Sequence, residues 1–166
     1  MHRLTNSLSL VQNETKMRGK HRLEAIVRDI VNEHVDANNE AFYREIMLCM
    51  AKLAQLFIDK ACPLVKEAAA AADGFWASFI PYENFPTMTI DVEYARLSKF
   101  IDEGKNRNQD SYARAVRLMV RTFDEEFSDD NIDVFPLFVD YLIKMGCYRE
   151  SISDIIERSI WKQPGR

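Results

Sequence analysis

Histidines, cysteines and a run of acids are the residues of this 166-residue chain whose types could do chemistry. His2, His21 and His34 are not spaced as metal ligands, and no ExxH or HExxH pair sets two ligands one helical turn apart. Cys49 stands between Leu48 and Met50 in the most apolar stretch. A thiol there resists ionisation, and the thiolate is the nucleophile. No serine occupies a GxSxG elbow, and the few glycines form no phosphate-cradling loop. Asp124, Glu125, Glu126, Asp129, Asp130 and Asp133 gather carboxylates, but a calcium loop needs a glycine at its sharp turn and none occurs among them. These acids read as a solvated helix end followed by capping residues. Their sharper reading is an acidic patch, centred on Asp124, Glu125, Asp129 and Asp130, that engages a basic groove on another protein. Such a patch speeds association and selects partners more than it adds affinity. No catalytic residue, cofactor or metal is expected.

Two further clusters concern binding. Phe75, Trp76, Phe79, Tyr82 and Phe85 crowd the stretch DGFWASFIPYENFP, where Pro81 and Pro86 forbid a regular helix. Large rigid rings bury much area at low entropic cost, and Trp and Tyr are enriched where partners bind most strongly. The segment either plugs the open end of the fold or anchors a partner. Phe75 and Phe79, one turn apart, suit the core; Trp76 and Tyr82, with polar handles, suit an interface. Lys105, Arg107, Arg114, Arg117 and Arg121 form a basic stripe, the last three on one helix face. It reads as an ordinary charged face, with Arg121 one turn from Glu125, or as a nucleic-acid contact.

The stretch RDIVNEH, Arg28 to His34, resembles the R-[NDH]-x4-H pattern of HEPN-domain ribonucleases, which are small helical bundles. The match rests on Arg28, Asp29 and His34. The resemblance implies metal-independent RNA cleavage, with Arg28 and His34 acting across a dimer cleft. His34 also falls on the apolar face of its helix, where a core histidine is the commoner outcome.

The elements that must position these residues read as helices throughout. The chain is 47% apolar and 29% charged, with only five glycines and five prolines, which favours long uninterrupted elements. Leu23, Ile26, Val27, Ile30 and His34 step by three and four. From Glu40 to Ala61 two apolar stripes run side by side: Phe42, Ile46, Cys49, Leu53 and Phe57, and Tyr43, Met47, Met50, Ala54 and Ile58. So wide a face predicts a helix covered on two sides, at the centre of a bundle. Pro63 opens the next helix and Gly74 closes it. TMTID is expected to form a short extended piece, with Asp91 capping a helix that Gly104 ends. Ser111 to Phe127 is the cleanest amphipathic pattern. Pro136 is expected in the first turn of a helix closed by Gly146, and a last helix covers Arg149 to Trp161.

The sum is an all-α, single-domain bundle of about six or seven helices over residues 1–166, with one long aromatic-rich connection. Residues 1–14 are expected as a flexible leader and 163–166 as a tail. A net charge of −4 weighs against nucleic acid as the main ligand. No apolar run reaches the roughly 20 residues of a membrane span. Three cysteines without a CxxC pair suit a reducing, cytoplasmic setting. The expected function is therefore binding to another protein, as an inhibitor, an immunity or anti-defence protein, or an adaptor subunit. Exposed aromatic surface would also allow a homodimer.

Overall fold

The wide apolar face of Glu40–Ala54 settles the architecture. This helix, α2, buries Phe42, Tyr43, Ile46, Met47, Cys49, Met50, Leu53 and Ala54. No single neighbour could cover both stripes, and α2 lies against α1, α3, α5, α6 and α7. The computed structural model describes residues 2–37, 40–78, 88–121 and 129–161. Their order is α1 His2–Ala37, α2 Glu40–Ala54, α3 Pro63–Ala77, α4 Met88–Glu103, α5 Asp110–Met119, α6 Asp129–Lys144 and α7 Arg149–Ile156. Short 3-10 turns at Ile58–Lys60 and Arg107–Gln109 link neighbours, and α7 continues into a π-helical turn at Glu157–Trp161. Among the described residues no strand occurs, and the chain is one all-α domain.

Several local expectations need correction. The helix α1 starts at His2, so residues 2–15 lie within it. The helix α3 begins at Pro63, as proline at a first helical position favours, but it runs through Gly74 to Ala77. Ser78 ends it instead: its N–H and its hydroxyl both donate to the carbonyl of Phe75. Met88 to Asp91, expected as extended, are helical, because α4 starts at Met88, and Asp91 sits in its first turn where a carboxylate complements the helix dipole. The helix α5 stops at Met119, well short of Phe127. Because α6 starts at Asp129, Pro136 lies inside it and not in its first turn.

Two glycine stops hold. Gly104 and Gly146 adopt φ of 62° and 86°, a left-handed backbone that side chains other than glycine's rarely tolerate. The alanines Ala68, Ala69 and Ala72 are buried, which lets α3 approach its neighbours α2, α4 and α5 closely. In the second half of the chain, α6 and α7 both pack on α1. Their layer borders an open surface along α1.

Candidate functional site

Helix α1 presents two kinds of apolar residue. Leu23 and Ile30 are buried in the core, with Ile26 and Val27 packed against it. Val27 and Val31 lie half-buried beside that stripe, turned toward α6. Across from them α6 offers Pro136, Val139 and Ile143 at steps of three and four. The two rows do not close over each other. They leave an open hollow of about 500 Å³ with an apolar floor. Its rim is charged: Lys20, Glu24 and Arg28 on α1, Asp140 on α6 and Arg149 at the start of α7.

A second hollow of about 400 Å³ continues it toward the other end of α6. Ile143 and Arg149 line both; Lys16, Gly19, Gly146, Cys147, Tyr148 and Glu150 complete the second. Tyr148 is 80% exposed at this end. From Lys16 to Val31 α1 advances about 22 Å, or four turns. The result is one groove of that length along α1.

Three features hold the groove's walls. Arg22 donates to Asp154 at 2.9 Å and to Glu157 at 3.0 and 3.3 Å, tying α1 to α7. These carboxylates raise the pKa of its guanidinium. Gly19 is buried, and Glu150 Oε1 lies 3.7 Å from where a Cβ would stand, so α7 begins close against the α1 backbone. Finally, Pro136 brings no N–H to the α6 ladder, and its ring lies at the groove's edge.

The aromatic anchors are relocated. Trp76 is 1% exposed and Phe75 8%, so neither is a handle on the surface. The indole of Trp76 meets Phe75 edge-on at 4.9 Å and Tyr43 at 5.8 Å. Its Nε1 donates to the Met119 carbonyl at 2.7 Å, and Tyr43 Oη donates to the Arg121 carbonyl at 3.0 Å. The physical reason is that α3 does not stop at Gly74, so its last turn carries both rings inward. Phe79, Tyr82 and Phe85, with Asp124 and Glu125, lie outside the described residues. Asp129 and Asp130 open α6, and their side chains lie outside them too.

Two members of the basic stripe are engaged within the chain. Arg117 donates to Ser98 Oγ at 3.3 Å and lies over the Tyr94 ring at 5.7 Å, so it is spent on α4. Lys105 lies 3.9 Å from Glu103. Arg28 is exposed and lines the groove. His34 follows it on the same unbroken helix, and its side chain lies outside the described residues. Positions 28 and 34 stand six residues, about 9 Å, apart along the α1 axis.

Burial raises the pKa of Cys49 to about 12, against smaller opposing effects of the neighbouring Ser159 and Lys52. It is an inert core thiol, as its flanks suggested. Burial also raises that of Cys147, less Lys60's opposing pull. All three cysteines are free. Among the described residues no group of three or more His, Cys, Asp or Glu could hold a metal ion, and no helix is long and apolar enough to cross a membrane.

The groove itself escaped the sequence reading. Val31, Val139, Ile143 and Arg149 were not singled out for binding, and Pro136 was read only as a helix-start residue. A signal existed: Val31 adds an apolar residue beside the Leu23–Ile26–Val27–Ile30 stripe, which one core contact does not require. No protein-family model, curated protein or solved structure matches the chain.

Proposed function

We propose that this chain works by binding another protein, and that the groove between α1 and α6 is the surface it uses. One observation carries the reading: an apolar floor that the chain's own helices leave open, about 500 Å³ in volume and rimmed by charge. Apolar ground ringed by polar groups is the usual anatomy of a recognition surface. Inhibitor, immunity or anti-defence protein, and adaptor subunit are the roles this class of surface suits, in a cytoplasmic setting that leaves the cysteines reduced. Binding, and not catalysis, is the activity.

The test is site-specific photo-crosslinking in the source cells. A photoreactive side chain at Val31, in the groove, is compared with one at Ala70, on the exposed face of α3. A protein adduct formed from position 31 and not from position 70 supports the reading. Adducts equal at both positions, or none at either, reject it.

A further inference from the structure

Resting on that reading, we infer that the occupant of the groove is an acidic amphipathic helix of about four turns. Shape gives the helix. The first hollow lies between two helical ridges, Leu23–Val27–Val31 on α1 and Pro136–Val139–Ile143 on α6, and the second carries the groove past the end of α6 to about 22 Å; a third helix seats its own ridge in such a furrow. The matching pattern on the guest is apolar residues at steps of three and four.

Charge gives the sign. Lys20 lies 4.0 Å from Glu24, and those two cancel. Lys16, Arg28 and Arg149 make no ion pair among the described residues, against two such carboxylates, Asp140 and Glu150. The groove thus carries a positive excess on a chain whose net charge is −4. The cations are also spread. Lys16 and Arg28 stand about 18 Å apart along α1, and Arg149 borders both hollows. Carboxylates flanking both ends of the guest's apolar stripe meet them; basic flanks meet repulsion.

The experiment is a displayed peptide library with a fixed leucine stripe at helical spacing and randomised flanking positions. It is selected on the wild-type protein, on Val27→Asp, and on the double variant Arg28→Glu, Arg149→Glu. Circular dichroism and thermal melting establish that each variant is folded, and the double variant changes only exposed or half-exposed positions. The expected result is enrichment of Asp and Glu in the flanks on wild type, loss of enrichment on Val27→Asp, and a shift toward Lys and Arg on the double variant. Exchanging the selected acids for lysine should weaken binding about tenfold or more. Selection that depends on Val27 without favouring acids overturns the acidic helix and leaves groove docking standing. No selection dependent on Val27 overturns the helix as occupant, while the crosslinking result separately decides docking. A wild-type dimer in sedimentation that Val27→Asp dissociates would make a second copy the occupant and overturn the inference.

Discussion

The indole Nε1 of Trp76 donates a 2.7 Å hydrogen bond to the main-chain oxygen of Met119, joining the last turn of α3 to the last residue of α5. A helix leaves its final carbonyls without partners, and this one is satisfied by a side chain from another helix. The bond is buried, so the oxygen has no water to turn to when the indole is removed.

Trp76→Phe keeps most of the ring and deletes the donor. The expected cost is about 1–3 kcal/mol for the orphaned carbonyl, besides any loss of packing. In a chain of this length that lowers the melting temperature by roughly 3–10 °C. A melting curve unchanged within a degree would contradict the burial. In a Trp161→Phe background, iodide should leave the remaining fluorescence largely unquenched.

Cys49 predicts a pH dependence. Its folded pKa, about 12, lies above the unfolded value of 9.0. The unfolded chain therefore releases this proton first as pH rises. The stability tied to it is complete below pH 9 and drains between about 9 and 12, on the order of 1 kcal/mol per pH unit at most. Urea unfolding at pH 8 and pH 10.5 measures the slope. Cys49→Ala should show a shallower decline than wild type; an equal decline would refute the assignment.

Gly74 and Gly146 should respond oppositely to alanine. Gly74 lies in α3 with nothing within 4 Å of the point where a Cβ would stand, so Gly74→Ala should add about 0.5–1 kcal/mol of stability. Gly146 has φ of 86°, and Gly146→Ala should lose about 1–2 kcal/mol. Loss of stability in Gly74→Ala would restore Gly74 as a left-handed helix stop.

RNA incubated without metal should survive both the wild-type protein and His34→Ala, because the activity proposed for this chain is binding and not catalysis. Cleavage by wild type that His34→Ala abolishes would revive the HEPN-type reading, with the two residues meeting across a dimer.

Periodicity exposed most of the fold. The two stripes of α2 required a helix covered on both sides, and the low glycine and proline content required long elements. Gly104 and Gly146 marked real stops, because a left-handed residue after a helix is a local demand. Gly74 did not, since a glycine inside an exposed helical turn costs little enough for tertiary packing to override it. Trp76 was misjudged for the same reason: ending α3 early left its ring in a connection, whereas Phe75, expected to suit the core, is buried there. The groove was least legible. It arises where α1 and α6, more than a hundred residues apart, fail to close on each other, and no short-range pattern encodes that distance.

Pro136 gives this groove a further property. A proline cannot donate to the carbonyl four residues earlier, and its ring crowds that position, so the ladder of α6 is interrupted beside the cleft. α6 stays one continuous helix across Pro136, with one fewer bond in its ladder beside the cleft. Slack there would act on the α6 wall that faces Val27 and Val31, whereas α7 is fastened to α1 by Arg22 with Asp154 and Glu157.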